Sequence, residues 1–230
     1  MLKNQTINIK TVEKVATALE EINDEVIYIG GAIVSLYAND LGADPPRPTK
    51  DIDISVQVGT YTQMKKLSER LAEKRIYPLP SESHMYKYHY DNIEIDIIPY
   101  DDTPLGPTNK WLKPGFDNPY SVNIGNVSIK ILQINYYLAT KWEAYKNRGN
   151  DPRTSHDFED IIYLIDNNTE LLNEIRKSKQ NLKHYLMQMS NEILSHQSLN
   201  EIIECHLNPF TVSERSEIVI NKLKEINALK

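Results

Sequence analysis

The chain has 230 residues, of which 40% are hydrophobic and 25% charged, ordinary proportions for a globular protein of one large or two modest domains. Its formal net charge of −6 means that a polyanionic partner would have to be gripped by a local basic surface, not by the overall field of the molecule. No window is apolar enough for a membrane helix, the N-terminus MLKNQTINIKTVEK lacks the apolar core of a secretory signal, and the single cysteine, Cys205, excludes an internal disulfide framework. These features predict a cytoplasmic protein with no membrane partner.

Val12, Val15, Ala16, Leu19 and Ile22 recur at helical spacing and predict an amphipathic helix over residues 9–23. EVIYIGG reads as a short apolar strand running into Gly30 and Gly31, AIVSLYAND as a helix, and Gly42 to Pro48 as a loop. DIDISVQV alternates throughout, with Asp51, Asp53, Ser55 and Gln57 on one face and Ile52, Ile54, Val56 and Val58 on the other. A helix over residues 60–74 buries Met64, Leu67 and Leu71, and two strands follow, HMYKYHY and IEIDIIPY, with a hairpin turn at Asp91-Asn92. Residues 101–120, rich in Pro, Gly, Asp and Asn, read as a long loop, and a small hairpin follows around Gly125-Asn126. Beyond Ile131 the pattern predicts helices only, at 131–148, 154–166, 169–179, 181–195, 198–206 and 211–228. The class is therefore α+β, in two parts with a boundary near residue 125: a domain over 1–125 and an all-helical domain over 126–230.

The candidate chemistry lies in the acidic strand faces. Aspartates at alternate strand positions stand about 6.5 Å apart at the backbone, and a neighbouring strand about 4.8 Å away can add a third carboxylate. In IEIDIIPY, Glu94 and Asp96 point one way and Ile93, Ile95 and Ile97 the other. If the two strands pair, their acidic faces coincide, and like charges so crowded call for a cation. A strand with one face in water would carry the same residues, and for the Asp-Ile-Asp triplet alone that simpler reading is preferred. Gly30 and Gly31 admit two readings as well: amides exposed to a phosphate at a helix start, or a plain tight turn.

In the helical part, Lys141, Tyr145 and Arg148 share a face, suited either to phosphates and a base or simply to solvent. Asp157 and Asp160 follow one turn apart. Thr154 is the predicted N-cap, with Asp157 three positions on as in a capping box. Arg176, Lys177, Lys179 and Lys183 hint at a basic groove for RNA, although Glu170 and Glu174 lie nearby. The six histidines offer no metal cluster: His84 and His89 sit on opposite faces of a strand pattern, and His156, His184, His196 and His206 are scattered over helices. Cys205 reads as a small buried hydrophobe, and adjacency alone does not make Ser155-His156-Asp157 a triad.

A strand ending in Gly-Gly, a helix, Asp-x-Asp on a strand and a third Asp on a later strand together resemble the nucleotidyltransferase superfamily, whose fold is shared with DNA polymerase beta. YIGGAIVSLY, RPTKDIDISV and IEIDIIPY carry that resemblance. LATKWEAYKNRG followed by TSHDFEDIIYLID is similar to the helical region of the AbiEii and MenT toxin nucleotidyltransferases. These segments reach from about residue 26 to 166 and leave the last sixty or so unmatched. Two departures stand out: the stretch from Gly31 to Asp51 is longer than the minimal superfamily pattern, and Gly31 replaces a frequent serine, so a hydroxyl contact to phosphate is missing.

The resemblance implies a nucleotidyltransferase-type mixed sheet flanked by helices, followed by an all-helical C-terminal region. It implies that Asp51 and Asp53 bind two magnesium ions (manganese being the alternative metal), and that Asp96 completes the second site and accepts the proton of the attacking hydroxyl. Gly30, Gly31, Lys141 and Arg148 would bind the nucleoside triphosphate, and Asp157 would support the site by orienting Lys141. The implied reaction moves a nucleoside monophosphate onto an acceptor hydroxyl and releases pyrophosphate. A tRNA end or a protein is the implied acceptor, in a toxin with a cognate antitoxin or in phage defence. The alternatives are a small-molecule acceptor such as an antibiotic, and an inactive binding module.

Overall fold

The computed structural model describes residues 3–80, 86–100 and 109–229, with side chains from residue 9 onward. His84 and Met85 of the predicted strand and residues 101–108 of the predicted loop lie outside the described residues. The chain forms two compact units: Met1–Ile33 with Arg47–Gln133, and Val34–Pro46 with Ile134–Lys230.

The first unit holds a mixed seven-stranded sheet. Its strands are β1 (Val26–Ile29), β2 (Asp51–Val56), β3 (Tyr77–Pro78), β4 (Lys87–Tyr90), β5 (Ile93–Pro99), β6 (Tyr120–Ile124) and β7 (Val127–Ile131). They lie in the order β3-β4-β5-β2-β1-β7-β6, with β2 parallel to β5, β1 parallel to β7 and every other neighbour antiparallel. Among the described residues, the α-helices of this unit are α1 (Lys3–Leu19), α2 (Tyr61–Glu73) and α3 (Leu112–Phe116).

Local chemistry explains most of these elements. The stripe Val12, Val15, Ala16 and Leu19 is buried along α1, and Ile22 continues it into a 3-10 segment over Glu20–Glu25. Thr60 caps α2, its hydroxyl accepting from the Gln63 amide, and Met64, Leu67 and Leu71 form the buried face. In the centre of the sheet, Ile52, Ile54 and Val56 on β2 and Ile93, Ile95 and Ile97 on β5 are all buried. Asp91, with a φ of 51°, makes the turn between β4 and β5, and Gly125, at 55°, makes the turn between β6 and β7.

Three segments differ from expectation. In place of an α-helix over AIVSLYAND, a seven-residue 3-10 helix, Gly31–Tyr37, takes in only AIVSLY of that stretch. It stops because the next amides turn elsewhere: both Asn39 and Asp40 donate to the Asn167 carbonyl. The part of the predicted loop that is described contains α3, because Trp111 and Leu112 are large apolar side chains that bury themselves. The two-residue β3 had no alternating pattern to announce it, and it sits at the sheet edge, where its proline is tolerated.

The second unit contains α4 (Ile134–Arg148), α5 (His156–Asn167), α6 (Leu171–Arg176), α7 (Gln180–Leu194), α8 (Leu199–Glu204) and α9 (Val212–Asn227). All nine residues from Ile134 to Trp142 are buried, so the first half of α4 is enclosed on every side. Ser155, not Thr154, caps α5, its hydroxyl accepting from the Phe158 amide, while the Thr154 hydroxyl turns back to the Asp151 carbonyl. At the other end of α5, Lys222 donates to the carbonyls of Ile165, Asp166 and Asn168, and Arg215 pairs with Asp40 and Asp166. Residues 34–46 are held to this unit by those bonds and by Tyr37 stacked on Tyr137 with centroids 4.5 Å apart. Cys205 is exposed, contrary to the expected buried hydrophobe, because its end of α8 faces outward. Among the described residues, no helix is long and apolar enough to cross a membrane.

The sheet core gives a direct check. Ile97, fully buried on β5, is expected to cost about 2–5 kcal/mol of unfolding free energy when changed to alanine, measured by urea denaturation. A loss under about 1 kcal/mol would mean that β5 is not the buried interior strand described.

Candidate active site

The acidic strand faces meet. β2 and β5 run parallel and in register, with Asp51 opposite Glu94 and Asp53 opposite Asp96. Ile52 and Ile54 on β2 and Ile93, Ile95 and Ile97 on β5 turn to the other face, so four carboxylates share one side of two adjacent strands. Asp51, Asp53 and Asp96 are half-buried and Glu94 is exposed. One step further along, Ser55 is fully buried and donates to the Ile98 carbonyl at 2.9 Å, giving this face a closed floor beside the carboxylates.

Gly30 belongs to this group through its missing side chain. Its φ is +78°, and a methyl group there would stand 2.6 Å from the Asp53 Cγ and 2.8 Å from its Cβ, closer still to Oδ2. Both the backbone conformation and the space exclude a side chain. The observed role of Gly30 is thus to let the end of β1 pass against Asp53. Gly31 opens the 3-10 helix, which is short and has poorer hydrogen-bond geometry than an α-helix, so little dipole supports a phosphate there.

Two neighbours escaped the sequence reading. The Thr49 hydroxyl lies 2.7 Å from the Asp51 carbonyl and 3.0 Å from its Oδ1, tying that carboxylate to its own loop. A threonine two residues before an aspartate at a loop-to-strand junction is the signal for such a bond. Lys87 stands opposite Asp96 on β4, its Nζ 3.0 Å from Oδ1 and 3.1 Å from Oδ2. Counting outward from the Asp91-Asn92 turn pairs Tyr90 with Ile93 and therefore Lys87 with Asp96, so this partner was legible in the hairpin register. The hydrogen bond to Asp96 holds the Lys87 ammonium above the ordinary lysine range, outweighing the opposing cost of partial burial.

Among the described residues, no three His, Cys, Asp or Glu side chains converge as a ready-made metal cage. Magnesium does not require one. It usually takes one or two carboxylates and completes its shell with water and phosphate oxygens. The donor set here is of that kind: hard carboxylate oxygens on adjacent strands, one of them seated against the bare backbone of Gly30. Such oxygens fit divalent cations, and Asp51, Asp53 and Asp96 would hold them with one or two carboxylates to each ion.

A second charged cluster lies in the helical unit. Lys141 on α4 is buried, its Nζ 2.6 Å from Asp160 Oδ2 and 3.8 Å from Asp157 Oδ1 on α5. Arg148, largely exposed, donates to the other oxygen of Asp157. The predicted shared face of Lys141, Tyr145 and Arg148 is therefore turned toward α5, and Tyr145 packs against Phe158 there with centroids 5.2 Å apart. Lys141 is no solvated residue: two carboxylates answer its charge, and Asp160 lies nearer to it than Asp157. The basic stretch on α6 and beyond is partly satisfied locally, Lys177 by Glu174 at 2.7 Å and Arg176 by Asn173.

A cavity of about 550 Å³ in the first unit, lined by Val26, Val56, Val58, Leu67, Arg70 and Lys130 among others, lies at the opposite ends of β1 and β2 from Gly30 and Asp51. It is separate from the carboxylate face.

No family model matches the sequence, and no curated protein matches it. Among solved structures, an antigenic nucleotidyltransferase-like protein from Paracoccidioides brasiliensis matches over 90% of this chain and 96% of its own length, at a TM-score of 0.53 and 18% sequence identity. The two chains share a fold. JHP933 from Helicobacter pylori also matches, over 95% of this chain and 91% of its own, but at 10% identity and a TM-score of 0.43 the likeness supports no argument. The fold is thus nucleotidyltransferase-like, while the roles of individual residues rest on this chain's own geometry.

Two outcomes follow from that geometry. Gly30→Ala is expected to lower stability by at least about 1–2 kcal/mol from the left-handed backbone alone, with the clash against Asp53 adding to it. An unchanged thermal melt would contradict the close approach. Lys141→Met would leave Asp157 and Asp160 buried without their ammonium and is expected to cost about 3–5 kcal/mol in chemical denaturation. A loss within about 0.5 kcal/mol would show that the lysine is not structurally committed.

Proposed function

We propose that the protein is a divalent-cation-dependent nucleotidyltransferase that moves a nucleoside monophosphate from a nucleoside triphosphate to an acceptor hydroxyl. The observation that supports this reading best is the register of β2 and β5, which sets Asp53 opposite Asp96 while Gly30 makes room for the Asp53 side chain itself. A surface chosen only for solubility has no reason to align acid with acid twice across adjacent strands, since like charges directly opposite are destabilising.

In the proposed reaction the acceptor oxygen attacks the α-phosphorus, the bond to pyrophosphate breaks, and the acceptor proton passes to Asp96. Bound magnesium would supply charge neutralisation on the triphosphate and acidify the attacking hydroxyl. Asp51, oriented by Thr49, and Asp53 would bind the ions. Lys141 is the proposed triphosphate contact, oriented by Asp160 and Asp157, and Arg148 is an accessory cation. The AbiEii and MenT resemblance favours a tRNA end or a protein hydroxyl as acceptor, and with it a cytoplasmic toxin or phage-defence role and a cognate antitoxin.

The test is incubation with each labelled nucleoside triphosphate, magnesium and total RNA, beside an Asp51→Ala/Asp53→Ala variant. Label is expected in RNA only with the intact carboxylates. Transfer to protein in place of RNA would move the acceptor without changing the chemistry. Equal label from both proteins, or neither transfer nor magnesium-nucleotide binding, would overturn the reading.

A further inference from the structure

Asp96, the third carboxylate, already has a cation. Lys87 faces it across the β4–β5 ladder and places one ammonium group against both of its oxygens, at 3.0 and 3.1 Å. Those are the oxygens a divalent ion would take, at about 2.1 Å. The ammonium and such an ion cannot occupy the same lone pairs, and at that separation their like charges repel. The pair is also built for exchange. The side chains of Lys87 and Asp96 are 30% and 23% exposed, so the interaction is partly screened, and a flexible four-carbon stem can carry the ammonium into water.

We infer that Lys87 is a displaceable counter-ion that holds Asp96 in position, must leave it before a divalent cation binds there, and thereby sets the protein's affinity for that cation. The inference rests on the reading of Asp51, Asp53 and Asp96 as metal-binding carboxylates. Lys87 is a positioning residue in this scheme. It offsets part of the repulsion where the strand pair sets Asp53 opposite Asp96, and it raises the threshold at which the ion enters. An arginine at the same place would grip the carboxylate with a planar two-pronged fork and release it less readily.

The experiment is manganese binding without nucleotide, followed by the electron paramagnetic resonance signal of the free ion, for the wild type, Lys87→Met and Lys87→Arg. Lys87→Met is expected to bind about tenfold more tightly, equivalent to about 1.4 kcal/mol of relieved competition. Lys87→Arg should bind no more tightly than the wild type. Lys87→Gln serves as the neutral variant if Lys87→Met does not fold. A wild type that binds while the neutral variant binds equally or more weakly would overturn the counter-ion role and leave the metal reading standing. Tighter binding by Lys87→Arg as well would also overturn it, since charge would not be the cause. No binding by any of the proteins would overturn both.

Discussion

The parallel, in-register pairing of β2 and β5 is the constraint on which the site depends. It places Ile52 beside Ile95 and Ile54 beside Ile97 on the buried face, and by the same step Asp51 beside Glu94 and Asp53 beside Asp96 on the other. A slip by one residue would turn every side chain of one strand over, so the core dictates where the carboxylates stand. The magnitudes agree with that order of control. Burying each isoleucine is worth about 1.5–3 kcal/mol, whereas opposed like charges cost a few tenths to about 1 kcal/mol per pair. The fold can therefore hold an acidic face that would not form by itself, and Lys87 relieves part of the remaining repulsion.

Much of this was legible because alternation is a strong signal. DIDISVQV and IEIDIIPY declared both strands and the direction in which each aspartate points, and the turn at Asp91-Asn92 declared the hairpin. The parallel sense of β2 and β5 was not legible, because two alternating strands match equally well in either direction until the intervening elements are in place. Lys87 was hidden for a different reason. HMYKYHY sets its tyrosines on one face and Lys87 and His89 on the other, and only the hairpin register tells which of the latter stands opposite Asp96. The 3-10 helix after Gly30 was invisible because what ends it is a pair of amides drawn to Asn167, far away in the sequence.

In the helical unit, burial gives Lys141 a structural duty beside the chemical role proposed for it. On sequence, Lys141 could be a phosphate ligand or part of a wet surface. Its burial between Asp157 and Asp160 rules out the wet surface and makes it a structural ion pair, whatever its part in the chemistry. Breaking such a pair from either side leaves an uncompensated buried charge. Loss of activity in a Lys141 variant would therefore mix folding with chemistry, whereas Asp51 and Asp53, half-exposed, can be altered with less disturbance. The capping of α5 makes the same point about local signals. Thr154 and Ser155 are both good caps, and it is Ser155 whose hydroxyl receives the Phe158 amide while that of Thr154 turns to the Asp151 carbonyl.

The most direct measurement is anomalous diffraction from crystals grown with manganese and a non-hydrolysable nucleoside triphosphate. The expected result is an anomalous peak about 2.1–2.2 Å from carboxylate oxygens of Asp53 and Asp96, with the Lys87 ammonium withdrawn from Asp96. Manganese bound only at other carboxylates, with Lys87 still against both Asp96 oxygens, would contradict the assignment of this strand pair as the catalytic metal site.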